Sequence, residues 1–216
     1  MHCEVCWAYP SRNRRRRNQE RGKNVVDEQD RGKQPRVFDE NTPEGKALLE
    51  WWRQLQGYEG MSLAQLEYTG MKPGMAGVRA DLRRAETDVE VVFCRGYQQL
   101  RVALPKNFRD EYRLPEVARV LAHVKTLPAP NELMTSLPTL MGHRKSEGEE
   151  TPVVSELRFK RLLRIEDRHE LVDLLIRLLP MVARTANPLI LARDIWFWND
   201  QTRKRWANDY YQALLG

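Results

Sequence analysis

Across residues 43–124 and 155–214, bulky apolar side chains recur every three or four positions, the period of one helix face. Asn41-Thr42-Pro43-Glu44 puts a capping residue before proline, with an acid behind it, which suits a helix start. The helix carries Leu48, Leu49, Trp51, Trp52 and Leu55 as far as Gly57. Ser62 with Gln65 resembles a capping box for a short helix after the Gly60 turn. Gly70, Pro73, Gly74 and Gly77 mark a loop, and Val78 to Ala85 read as a short basic helix. Asp88 can cap a further helix through Val92, Phe93 and Leu100, although the β-branched run Val89–Phe93 also suits a strand. Pro115 opens a clearer helix, with Val117, Val120, Leu121 and Val124 on its apolar face and His123 on its polar side.

Residues 126–152 hold four prolines and the charged tract His143 to Glu150, the composition of a linker or mobile loop. Helical signals then resume. Asp167 with Glu170 starts a run carrying Leu171, Leu174, Leu175, Leu178 and Val182. Asn187-Pro188 starts the next, with Leu191, Ile195 and Trp198, and Trp206, Tyr210 and Leu214 stand four apart on the last. Trp196 and Trp198 lie about 200° apart on a helix, and core is the default reading for each. The pattern predicts an all-α protein: a disordered basic tail over 1–40, an N-terminal helical lobe over 41–130, a linker over 131–152 and a C-terminal helical lobe over 153–216.

Charge changes the picture, because it is uneven. The net charge of 216 residues is +6. Residues 11–36 alone carry ten Arg and Lys against four acids, while residues 37–216 carry 26 against 25. The folded part is nearly neutral, so any hold on a polyanion must come from local patches. No run approaches the ~20 apolar residues of a membrane span, and arginines follow too soon after the start for a signal sequence. Three cysteines make no disulfide framework, which points to a reducing cytoplasm.

Catalytic and metal chemistry find little support. Cys3 and Cys6 form a C-x-x-C without a second ligand pair, and zinc needs four ligands. His169-Glu170 lacks the second histidine of H-E-x-x-H, so capping explains Glu170 better. Cys94 sits in an apolar run and reads as a small buried hydrophobe. No phosphate-binding glycine loop or dinucleotide fingerprint occurs. A non-enzyme without cofactor or metal is the expectation.

The arginines are the live candidates. Arg79 and Arg83 share a helix face, with Arg84 beside them. Arg158, Arg161 and Arg164 recur every third residue on a second helix, and Arg203, Lys204 and Arg205 lie on the last. A guanidinium offers phosphate a planar donor fork that is always charged. The plainer reading is a solvated helix face paired with Glu86, Glu156, Asp167 and Asp200. A helix-turn-helix regulator would use the Asn187-Pro188 junction, but the helix after it is apolar and aromatic. A nuclease is a third reading, without a catalytic constellation to support it.

An ordered set of short pieces carries a resemblance: Trp51-Trp52, Arg79-Ala80-Asp81-Leu82-Arg83-Arg84-Ala85, Leu127-Pro128, Leu140-Met141-Gly142, the run from Ser155 to Arg164, Leu191-Ala192-Arg193-Asp194 with Trp198, and Arg205-Trp206-Ala207 with Tyr210-Tyr211. Over roughly residues 45–214 the chain resembles the CasB family, the small subunit of the type I-E CRISPR Cascade surveillance complex. The resemblance implies two helical lobes and two copies of the chain. These would line the complex against the backbone subunits that hold the guide RNA, with the large subunit among their partners. It implies a non-catalytic role in antiviral defence, steadying the hybrid of guide RNA and target DNA and the displaced single strand. Matched to the family's basic motifs, the contact residues are expected to be Arg79, Arg83, Arg84, Arg158, Arg161, Arg164 and Arg193, followed by Lys204 and Arg205. Residues 1–40 fall outside the resemblance.

Overall fold

A computed structural model of the chain describes residues 37–56, 75–129, 134–145 and 151–216. The basic arm with Cys3 and Cys6, the short helix expected from Ser62 and the loop at Gly70–Gly74 lie outside the described residues. The described helices are α1 (Pro43–Gln56), α2 (Ala76–Arg84), α3 (Asp88–Phe93), α4 (Arg95–Ala103) and α5 (Arg113–His123), then α6 (Leu137–Gly142), α7 (Glu156–Leu163), α8 (Arg168–Leu178), α9 (Pro188–Trp196) and α10 (Asp200–Leu215). Short 3₁₀ turns cover Lys106–Phe108 and Leu179–Val182. Among the described residues the protein is all-α, and extended pairing is limited to the isolated bridges Thr126–Thr185 and Arg144–Pro152.

Caps expected at Thr42, Asp167 and Asn187 form, Thr87 takes the place expected of Asp88, and Asn199 adds a cap that was not expected. The Thr42 hydroxyl accepts from the Gly45 amide, Asp167 from the Glu170 amide at 2.8 Å, Asn187 from Leu189 and Ile190, and Asn199 from Thr202. Each satisfies amides that a helix start leaves without partners. The Val89–Phe93 run is helical, not extended. Thr87 caps it by accepting from the Glu90 amide, and Cys94 breaks it from α4 with ψ of 132°. Cys94 itself is half-buried rather than buried, its thiol donating to the Glu90 carbonyl at 3.4 Å.

Helix α5 is the hub. Every residue from Leu114 to His123 is buried, because α5 packs against α2, α3, α8 and α9 at once. The N-terminal and C-terminal segments therefore share one core. His123, expected on the polar side of its helix, is buried there: the polar stripe Glu116–Arg119–His123 meets polar partners carried in by other elements. Arg168 forks onto the Glu116 carboxylate, and Arg119 reaches Asp173 at 2.9 Å. Two expected boundaries also shift. Phe38, assigned to the tail, is buried with its ring 5.5 Å from those of Phe108 and Trp196, so the folded body already includes Val37 and Phe38. The expected linker contains α6, which docks along α10. A Cβ on Gly142 would sit 2.3 Å from the Tyr210 carbonyl oxygen, so only glycine permits that approach.

Helix α7 is fixed from below. Phe159 and Leu162 are fully buried, and the Phe159 ring stacks on Tyr210 with centroids 3.9 Å apart. The Tyr210 hydroxyl donates to the Val154 carbonyl at 2.6 Å, tying the start of α7 to α10. Trp198 packs edge-on against Trp206 at 5.0 Å and donates to the Ile165 carbonyl, and Trp196 packs against Phe38. Both tryptophans are core, the default reading for each, although Trp198 lies beyond the end of α9 and does not share a helix with Trp196.

Candidate nucleic-acid interface

The three basic trios meet three different fates. Arg158 and Arg161 on α7 and Arg164 at its C-cap are all exposed. Successive members rise about 4.5 Å along the axis, on a helix whose opposite face is locked in the core. Their acids are occupied elsewhere or meet them in long, exposed pairs. Glu156 accepts from Lys160 at 2.8 Å and from the Tyr211 hydroxyl, which together hold its carboxyl below the usual range. Glu170 stands 3.6 Å from Arg161, whose side chain is 71% exposed. Arg158 leans on the Met181 sulfur at 3.7 Å.

On α2 the expected shared face splits. Arg79 is half-buried and donates to the side chain of Gln56 at 2.7 Å and to its backbone carbonyl, tethering α2 to the end of α1. Arg83 is half-buried, and its Nε is enclosed without a hydrogen-bond partner. Arg84 alone is outside, 75% exposed and 3.3 Å from Asp81.

At the α9–α10 joint, Asp194 is 1% exposed and collects three donors' worth of attention. Arg205 donates to one oxygen at 2.5 Å, the Trp206 indole donates to the other at 2.7 Å, and Arg193 Nε lies 3.8 Å away. Burial pushes the Asp194 carboxyl up, while Arg205, Trp206 and Arg193 pull it back. Arg193 and Arg205 are thus engaged inside the protein, whereas Lys204 is exposed. The face of α9 that a helix-turn-helix would need is buried through Leu189, Leu191, Ala192, Ile195 and Trp196.

Sequence reasoning missed a fourth cluster. Arg83, Arg184 and Arg119 surround His123, and burial, then these three charges in that order, drive the imidazole down to about 4, against a weaker pull from the Arg83 backbone. Nothing in the helical periodicity of α5 signals it, because Arg184 arrives from a turn sixty residues later; only the alternation of Glu116, Arg119 and His123 on one stripe hinted at buried polarity.

Among the described residues no group of three or more His, Cys, Asp or Glu could hold a metal ion, and no helix is long and apolar enough to cross a membrane. Fold and surface together define an all-helical scaffold that displays a row of arginines on one short, rigid helix. The family model described as CRISPR-associated protein Cse2 matches residues 78–211, and the chain belongs to that family, the CasB/Cse2 small subunits of Cascade. Membership places it in a multi-subunit complex and accords with a non-catalytic role. No curated protein and no solved structure matches the chain.

Proposed function

We propose that this subunit holds displaced single-stranded DNA, and braces the adjoining guide RNA–target DNA hybrid, by offering phosphates the outer face of α7. The carrying observation is the Arg158–Arg161–Arg164 row, exposed and lightly paired on a helix anchored by Phe159 and Leu162. Such a row reads charge and spacing and not sequence, which is what a strand of any sequence requires. Exchange of a DNA duplex for a hybrid is nearly balanced, so a few backbone contacts tip it. Arg84 and Lys204, both exposed, extend the same surface chemistry. Arg79 and Arg205 serve chiefly to hold the scaffold, being bonded to Gln56 and Asp194, and Arg193 adds its charge 3.8 Å from the same Asp194. A second copy, the backbone and large subunits, and a cytoplasmic setting are further parts of this proposal, which family membership supports.

The test uses the full chain and the assembled complex. Arg158, Arg161 and Arg164 are changed together to Glu. The variant is expected to keep its helical signal and melting temperature, because all three side chains are exposed. Its binding to single-stranded DNA should lose about 2 from the slope of log K against log salt, since each phosphate contact contributes about 0.7. R-loops formed by the complex should shorten in lifetime. Unchanged slope and lifetime would remove α7 from the interface, and tight binding to one duplex operator would refute the strand-holding reading.

A further inference from the structure

We propose that Arg83, Arg119, His123 and Arg184 form an internal site for one phosphate group where α2 and α5 meet the turn after Leu179–Val182. The proposal goes beyond the helix-face reading and does not rest on it, since it concerns a different, enclosed set of donors.

The donor count comes first. Arg184 Nη1 lies 3.5 Å from His123 Nδ1. A guanidinium has only donors, so Nδ1 accepts and the neutral ring carries its proton on Nε2. His123 Nε2 is enclosed, and the Arg83 backbone exerts only a weak pull on its proton. Arg119 has a side chain only 9% exposed; Nη2 reaches Asp173, whereas Nε and Nη1 are enclosed without partners. Arg83 Nε is in the same condition. Three buried guanidinium nitrogens, Nε and Nη1 of Arg119 and Nε of Arg83, therefore lack acceptors, and native interiors rarely leave such groups empty.

Charge makes the same point independently. The guanidinium of Arg83 is destabilised by burial and by Arg184 and Arg79, and that of Arg119 faces the same imidazole. Asp173 is the acid that meets this group, and it engages Arg119. Like charges packed this way repel strongly in a medium that screens poorly. A tetrahedral oxyanion resolves both problems, because its oxygens accept from several directions and guanidinium forks match it. The backbone invests in the arrangement. Ala183 and Arg184 both take left-handed φ values, 54° and 58°, which side chains seldom adopt. The conformation is held by the Arg184 amide on the Leu179 carbonyl and by the Lys125 amide on the Arg184 carbonyl, each 2.8 Å. That turn delivers the Arg184 guanidinium to His123.

The experiment titrates inorganic phosphate into the full chain at constant ionic strength, chloride being replaced, and follows heat release and melting temperature. Wild type should bind one phosphate saturably, and its melting temperature should climb by several degrees, as a ligand selective for the native state requires. Arg119→Gln and Arg184→Gln should each weaken phosphate at least tenfold. In chloride alone Arg184→Gln should melt no lower than wild type, because it removes a repelling charge. A second arm adds an oligo-dT strand. If phosphate competes with the strand, the occupant is a backbone phosphodiester; if it does not, the occupant is a free phosphate group, and the site stands either way. Absence of a saturable phosphate response in wild type overturns the proposal even if a variant fails to fold. A response retained in both variants overturns it too. Phosphate binding here, with normal strand holding by the α7 triple variant, would sink the helix-face reading alone.

Discussion

Helices α7 and α10 look alike in sequence and differ in space. Each carries a basic trio beside bulky apolar residues: Arg158, Arg161 and Arg164 on one, Arg203, Lys204 and Arg205 on the other. On α7 all three point outward. On α10, Arg205 clamps a buried Asp194, Arg203 is half-buried beside Asp200, and Lys204 alone is exposed. What separates them is the neighbour. Helix α9 presents a buried acid to α10, whereas α7 packs through Phe159 and Leu162 and meets the exposed Glu170 of α8 at 3.6 Å. An arginine held by a buried acid belongs to the scaffold, because its loss strands a charge. One held by nothing stronger than a long surface pair is free to meet a polyanion at little cost.

The largest expected effect tests the scaffold half of this contrast. Arg205→Gln leaves the Asp194 carboxylate buried, with only the Trp206 indole and a more distant Arg193 near it. Breaking a buried pair from one side costs about 3–5 kcal/mol. The urea midpoint should fall accordingly, with strand binding per folded molecule unchanged. A variant of full stability that no longer binds DNA would move Arg205 into the interface and dissolve the distinction between the two helices.

A smaller effect comes from the third environment, the enclosed cluster on α2 and α5. His123 titrates at about 4 in the folded chain, below its ordinary 6.5. The unfolded chain therefore binds more protons between these values, and stability falls as pH drops through that window. The loss attributable to His123 approaches about 3 kcal/mol once pH reaches the folded value. Arg83 from α2, Arg119 from α5 and Arg184 from its turn face the ring and oppose protonation, with Asp173 countering Arg119. His123→Gln should flatten the difference between melting curves at pH 7 and pH 5 relative to wild type. An unchanged acid slope would mean that the ring is already solvated.

Much of this fold was legible along the chain, for identifiable reasons. Caps at Asp167, Asn187 and Thr42 act over three residues, so the sequence contains the whole interaction. The α7 row was legible for the same reason, since a single helix sets its spacing. The rest depended on partners far along the chain. Arg205 could not be told from Arg161 without knowing that Asp194 lies beneath it. The stripe carrying His123 is polar, yet Asp173 and Arg184 come from remote segments to bury it. Tail and linker boundaries missed Phe38 and α6, where one aromatic and one glycine do the docking.

The smallest effect separates two adjacent residues. Arg83 turns inward and is half-buried, while Arg84 stands outside with a 3.3 Å pair to Asp81. Arg84→Gln removes an i, i+3 surface pair between two exposed side chains, which changes stability by less than about 0.5 kcal/mol. Its single-strand salt slope should drop by no more than about 1, the share of one phosphate contact. Arg83→Gln should instead alter the melting temperature by more than Arg84→Gln does. If the two substitutions behave alike, neighbouring positions on α2 are not divided between scaffold and surface, and burial ceases to sort these arginines. If they diverge, one residue of helical register is enough to turn the same side chain from a strand contact into a part of the core.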